Sequence, residues 1–322
     1  MSLRVRAYVE QDADAWDAFC RAAFQATFLH SRRFLSYHGA RFEDHSVVLE
    51  LQGRWVGVFP AALHPDDDAC IVSHPGLTYG GVLHQGMLKG KKMHEAFDAM
   101  RDFYAGQRRK KLIYKAVPAM YCKTPAQDDL YALFALGAAR TRCDLSSTID
   151  LQYRQPVSER RRRSFRKAIK AGVVIEEGSE LLAELWDVVT GNLQRKHDTV
   201  PVHTLADIAL LAQRFPDNIR CVCAMLDNAV AAGVVLFLTD TVAHAQYIAA
   251  SEAGYAVSAL DAVFEHCIDT ASREHRRWFD FGISTERNGT VLNESLYLFK
   301  SEFGGGGMVH EFFEWNLGDF RE

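Results

Sequence analysis

An internal echo constrains this chain more than any single motif. Residues 46–63 read as two alternating, β-branched strands around a Gln52-Gly53-Arg54 turn, with Gly57-Val58 opening the second strand. Residues 220–238 repeat the plan, with a turn at Asp227-Asn228 and Gly233-Val234 leading into Val235-Leu236-Phe237-Leu238. Each hairpin is followed by an apolar segment, a helix-like stretch, a strand and a closing pair of strands. The helix-like stretches fall at 87–109 and 257–273, the strands at 111–117 and 277–283, and the closing segments at 129–151 and 294–317. This order predicts an α/β chain with mixed sheets, built as two tandem domains of one scaffold over residues 1–150 and 151–322. A length of 322 residues accommodates two such domains.

The closing segments also match each other, since Leu130-Tyr131 precedes Leu136-Gly137 in one half and Leu296-Tyr297 precedes Phe303-Gly304 in the other. Four residues before the glycine stand Leu133 in the first half and Lys300 in the second. Only the second half therefore places a titratable amine there.

Composition narrows the function classes. With 37 Lys+Arg against 41 Asp+Glu, the net charge of −4 supplies no bulk positive field for coating a nucleic acid. The longest run without a polar side chain, Ala229–Leu238, is far below the ~20 residues that span a bilayer. Charged residues at Arg4, Arg6 and Glu10 stand where a signal peptide needs an apolar run, so the expectation is a cytoplasmic protein. The 7 cysteines form no CxxC pair, which fits buried thiols better than zinc or disulfides, and no metal site is expected.

Between the halves, residues 158–170 gather Arg160, Arg161, Arg162, Arg163, Arg166, Lys167 and Lys170 against the single acid Glu159. Ser158 can cap a helix starting there, and Phe165, Ala168 and Ile169 give it a partial apolar face. Such a helix is either a solvated face or a phosphate-binding arm, because guanidinium groups grip phosphate oxygens bidentately. Arg162, Arg163, Arg166 and Lys167 are the residues expected to bind substrate.

The serine-hydrolase elbow, the zincin helix, the P-loop and the dinucleotide fingerprint are all absent from the sequence. What remains is a strand at 244–250 followed by the small-residue turn Ser251-Glu252-Ala253-Gly254-Tyr255-Ala256 and a helix from Val257 or Ser258. A turn of that kind offers backbone N–H groups and the positive end of a helix dipole to a pyrophosphate. Here the sequence resembles the GNAT acyltransferase superfamily, whose Q/R-x-x-G-x-G/A turn cradles acyl-coenzyme A. Gly254 and Ala256 match, while Ser251 replaces the Gln or Arg.

Nearly the whole chain is similar to tandem-GNAT proteins of the FemAB-like group, including the branch named after cellulose-biosynthesis acyltransferases. The resemblance is carried by the basic Ser158 to Lys167 segment, by Phe279-Asp280-Phe281-Gly282, and by Leu296-Tyr297-x-Phe299-Lys300-x-x-Phe303-Gly304. It implies an N-acyltransferase moving an acyl group from acyl-CoA to an amine of a sugar, a cell-envelope polysaccharide precursor or another small molecule. On that reading Lys300 stabilises the carbonyl oxygen or anchors a donor phosphate, and Asp280 and Glu286 are the candidate proton acceptors. Tyr247, Ser251, Gly254, Tyr255, Ala256 and Ser258 would hold the cofactor. His74 and Tyr79, in a glycine- and proline-rich stretch that suggests an exposed loop, would face the acceptor, as would His203. Two other readings stay open: aminoacyl-tRNA-dependent transfer of the Fem type, and a catalytically silent module binding a nucleotide-sugar or polysaccharide precursor. Ser251 favours the silent module and Lys300 opposes it.

Overall fold

The computed structural model describes residues 3–197, 199 and 201–318. The first half of the chain runs β1 (Arg4–Ala7), α1 (Ala13–Ala22), α2 (Arg32–Leu35), β2 (Val47–Leu51), β3 (Arg54–Phe59), β4 (Ala62–His64), β5 (Asp67–Val72), β6 (Leu83–His84), α3 (Lys91–Gly106), β7 (Lys111–Lys115), α4 (Asp128–Ala135) and β8 (Ala139–Asp150). The second runs α5 (Glu159–Lys170), β9 (Val174–Glu177), α6 (Leu182–His197), α7 (Leu205–Arg214), β10 (Ile219–Leu226), β11 (Ala229–Leu238), β12 (Val242–Ala250), α8 (Glu252–Val257), α9 (Ala259–Arg273), β13 (Trp278–Ile283), β14 (Thr285–Glu286), β15 (Val291–Leu292), α10 (Glu294–Ser301) and β16 (Gly306–Asn316).

The chain divides into two compact units. The first holds residues up to Asp144, Glu286–Val291 and those from Val309 on, and the second holds Leu145–Thr285 and Leu292–Met308. The division therefore falls at 144/145, not 150/151, and the C-terminal strand returns to the first unit. The reason is strand length: β8 has 12 residues and β16 has 11, and each runs from one unit into the other. Residues 312–316 pair antiparallel with β7, and residues 146–150 pair antiparallel with β13.

In the first unit the strand orders are β1-β2-β3-β6 and β4-β5-β7-β16, with β5 and β7 parallel and the other pairs antiparallel. Helix α3 buries Met93, Ala96, Phe97, Met100 and Tyr104, one stripe at helical spacing, in the core with Leu49, Phe59, Tyr114 and Trp315. In the second unit the order is β8-β13-β12-β11-β10-β9, with β12 and β13 parallel. Each unit thus contains both parallel and antiparallel strand pairs.

Both hairpin turns place two central residues at positive φ, Gln52 and Gly53 in one unit and Asp227 and Asn228 in the other. That is the backbone a two-residue hairpin loop requires to follow the strand twist. The uniformly apolar β11 is explained by burial on both faces: Ala232, Val234 and Leu236 join the α9 core cluster, while Gly233 faces Leu185 of α6, where a Cβ would come within 2.7 Å. One expectation is corrected. The closing segments begin with a helix, α4 or α10, and not with the first of two strands. Leu133 and Lys300 both lie on these helices, and each helix is followed by a glycine at positive φ, Gly137 or Gly304.

Candidate active site

Strand β13 alternates Phe279 and Phe281 into the aromatic core with Phe264 and Phe303, which turns Asp280 to the opposite face. Asp280 is fully buried. A carboxylate stripped of water needs donors in place of its hydration, and the neighbouring strands supply them. From β8, the Ser146 hydroxyl and Thr148 Oγ1 (2.8 Å) donate to Oδ1. From β12, His244 Nδ1 lies 2.7 Å from Oδ2, directly opposite in the parallel register. Opposite an ionised carboxylate, which only accepts, Nδ1 is the donor of this bond.

Just beyond Asp280 the strand ends in Gly282 at φ 77°, and the ladder with β8 slips between Asp280 and Ile283. The carbonyls freed by that slip are taken by Lys300, whose Nζ donates to Gly282 O at 2.9 Å and Ile283 O at 2.7 Å. Lys300 is 5% exposed, and burial lowers its amine to about 8 against a partial upward pull from Asp280. An amine in that range titrates near neutrality, and at least one N–H beyond the two spent on carbonyls belongs to its charged form. A Cβ on Gly282 would stand 3.5 Å from His244 Cε1, so the Lys300-bound turn and the imidazole edge are neighbours. Lys300, Gly282, His244 and Asp280 therefore form one contiguous cluster in the second unit. Lys300 and Asp280 were expected from sequence. His244 was not, and its only signal was a lone histidine among the small residues Ala243 and Ala245.

The turn after β12 differs from expectation. Helix α8 starts at Glu252, and Ser258 interrupts before α9 begins at Ala259. The Ser251 hydroxyl accepts from Gly254 N at 3.1 Å as the α8 cap and donates to Ala231 O at 3.0 Å. Gly254 is buried, and a Cβ there would reach within 2.0 Å of Ala231 O, so close helix-to-strand packing accounts for this glycine. Tyr255 is 45% exposed, Ala256 is exposed on the same short helix, and Ser258 occupies the left-handed region at φ 63°. Tyr247 packs its ring edge-on against Trp186 and bonds its hydroxyl to the buried His203, and desolvation pushes the phenol up to about 12. Tyr247 and His203 thus meet each other.

Helix α5 forms as expected, capped by Ser158 accepting from Arg161 N. Its cations separate into two groups. Arg161 is buried, paired with Asp261 at 2.9 Å and Glu302 at 3.3 Å, with its guanidinium over the Phe299 ring. Desolvation raises Asp261 to about 6 despite that partner. Arg162, Arg163, Arg166 and Lys167 are exposed, with Arg162 and Arg166 both reaching Glu159.

In the first unit, the stretch around His74 and Tyr79 is buried and not an exposed loop. Lys115 explains the correction: its Nζ donates to the carbonyls of His74 (3.1 Å), Pro75 (3.0 Å) and Leu77 (2.6 Å), which satisfies backbone groups that a loop otherwise gives to water. His74 sits at φ 49° beside His38 and Phe42, and burial depresses it to about 3. Tyr79 packs its ring against Tyr121 at a tilt of 34°, with centroids 4.3 Å apart, and donates to Thr27 Oγ1. Glu286 lies exposed in β14 and groups with the first unit, outside the Lys300 cluster.

Among the described residues, no group of three His, Cys, Asp or Glu side chains could hold a metal, and no helix is long and apolar enough to cross a membrane.

No curated protein matches this sequence. Residues 154–288 match the family described as "Acetyltransferase (GNAT) domain". Among solved structures, FemX is similar with a TM-score of 0.66 at 11% identity, covering 97% of each chain. The C-terminal domain of a putative lysylphosphatidylglycerol synthetase from Agrobacterium fabrum is similar with a TM-score of 0.62 at 11% identity, over 94% of this chain and 92% of that one. A tandem GNAT protein from the clavulanic acid biosynthesis pathway is similar with a TM-score of 0.55 at 13% identity over 99% of both. Asp280 lies within the matched GNAT acetyltransferase domain of residues 154–288, and the fold of the whole chain is similar to that of a tandem GNAT protein.

Proposed function

We propose that the protein transfers an acyl group from an acyl-thioester, of the acyl-CoA class, to a primary amine on a sugar, a polysaccharide precursor or another small molecule, with the second unit as its reaction centre. The observation that supports this most is Lys300: a buried amine tied to two carbonyls at a strand end, in a position the first unit fills with leucine. Acyl transfer to nitrogen makes an N–C bond, breaks the C–S bond and passes through an oxyanion. A fixed N–H donor near that oxygen stabilises it without reorganisation. Lys300 supplies the donor in its charged form.

The exposed Arg162, Arg163, Arg166 and Lys167 supply a grip for donor phosphates, while Arg161 anchors their helix. The alternative donor, an aminoacyl-tRNA, is favoured by that same basic face and by the structural similarity to FemX and the lysylphosphatidylglycerol synthetase domain. A thermal-shift panel of acetyl-CoA, longer acyl-CoA, charged tRNA and UDP-sugars separates the readings. A ligand at 100 times its dissociation constant adds about 2.7 kcal/mol of stability. A rise with CoA esters alone supports the first reading, a rise with charged tRNA alone supports the second, and a rise with UDP-sugars alone replaces both with a binding module.

A further inference from the structure

The acyl-transfer reading leaves one requirement open. The acceptor nitrogen must lose a proton as the N–C bond forms, and Asp280 is unsuited to take it. It is fully buried, it already accepts from the Ser146 and Thr148 hydroxyls, and its second oxygen is occupied by His244 Nδ1.

The imidazole presents the complementary picture. Its Nδ1 is fixed by a carboxylate that cannot reorient, because hydroxyls from the adjacent strand hold it. The side chain keeps 13% of its surface open. Its Cε1 edge lies beside Gly282, the residue whose carbonyl Lys300 binds. Asp280 of β13 bonds it, and Lys300 of α10 binds the carbonyl of the Gly282 beside it.

We infer that His244 is the proton acceptor of the transfer reaction and that Asp280 is its positioning residue, an arrangement resting on the acyl-transfer reading above. The amine attacks the thioester carbonyl, its proton passes to His244 Nε2, the C–S bond breaks, and the imidazolium returns that proton to the departing thiolate. No further reactant is required. Asp280 holds the Nδ1–H tautomer and the ring plane, and it stabilises the imidazolium while the proton is in transit.

The test uses the full chain in a free-thiol assay with acetyl-CoA and a panel of primary amines, alongside a transfer assay with charged tRNA. His244→Asn keeps an N–H for Asp280 and removes the base. It should fold, lose ~10²- to 10⁴-fold in kcat with little change in KM, and lose the acidic limb of the pH profile. Asp280→Asn should retain part of the rate and displace that limb. Nitrogen NMR of the histidine side chains supplies a reading independent of turnover: wild type should show His244 protonated on Nδ1, and Asp280→Asn should shift the proton toward Nε2. A His244→Asn protein with wild-type kcat and an unchanged pH profile overturns the assignment while leaving acyl transfer intact. Wild-type inactivity with both donors overturns the acyl-transfer reading and this inference with it.

Discussion

Asp280 and His244 face each other across the parallel β12–β13 ladder, with Oδ2 and Nδ1 2.7 Å apart and Asp280 closed off from solvent. Three strands converge on that carboxylate, so it is a structural node as well as part of the candidate site. Removing it takes an acceptor from the hydroxyls of Ser146 and Thr148 and from the Nδ1–H of His244. Each buried donor left unpaired costs roughly 1–3 kcal/mol, so Asp280→Ala should lose several kcal/mol in urea denaturation. Asp280→Asn, which still accepts through its amide oxygen, should lose less. Equal stability of Asp280→Ala and wild type would mean that the buried network does not hold these strands together.

Lys300 makes stability depend on alkaline pH. Its folded value of about 8 lies below the ordinary lysine value of 10.5, so between those values the unfolded chain binds more protons than the folded one. Stability should therefore rise with pH across that window, gaining up to about 3 kcal/mol when the proton is shed. Below about 8 the burial penalty is carried in full. Urea denaturation from pH 7 to 10.5 should show a steeper rise in wild type than in Lys300→Met, because Lys115, which burial lowers to about 7, contributes to both. Parallel curves would mean the amine is ordinary.

The cations of α5 separate cleanly in a mutational test. Arg161→Met strips the partner from Asp261, which is 3% exposed, and breaking a buried pair from one side typically costs about 3–5 kcal/mol. Replacing Arg162 and Arg163 by Ala should change stability by less than about 0.5 kcal/mol each, while raising the KM for a phosphate-bearing donor. Unchanged KM would leave these residues as a solvated face.

Acid should destabilise the first unit through its buried imidazoles. Desolvation holds His30 and His84 at about 4 and His74 at about 3, against 6.5 in the unfolded chain. Between 6.5 and those values the unfolded state takes up protons that the folded state refuses. Stability is thus lost as pH falls from 6.5 and levels off below about 3. Histidine NMR titration should find these rings neutral at pH 5, and a titration of His74 near 6.5 would contradict its burial.

Much of this architecture was legible because its signals are local. The hairpins were marked by Gln52-Gly53 and Asp227-Asn228, which do adopt positive φ, and α5 was marked by Ser158, which does cap it. Short apolar runs were not decisive: α4 and α10 have 8 residues each, too few for periodicity to separate helix from strand. The route of β16 back to β7 and the His244–Asp280 pair were hidden for a different reason. Both depend on which strands become neighbours, a non-local choice that spacing along the chain does not encode. Gly254 shows the converse, since a glycine read as an anion cradle has a sufficient cause in Ala231 O.

Acyl transfer by Lys300→Met with the donor found in the ligand panel, measured beside its melting curve, decides whether Lys300 belongs to the reaction centre. The side chain keeps its volume and loses its N–H groups, so the protein should fold. Turnover should fall ~100–1,000-fold, the usual consequence of deleting one oxyanion donor. A folded Lys300→Met protein that transfers acyl groups at the wild-type rate would contradict the claim and leave Lys300 as a clamp on the end of β13.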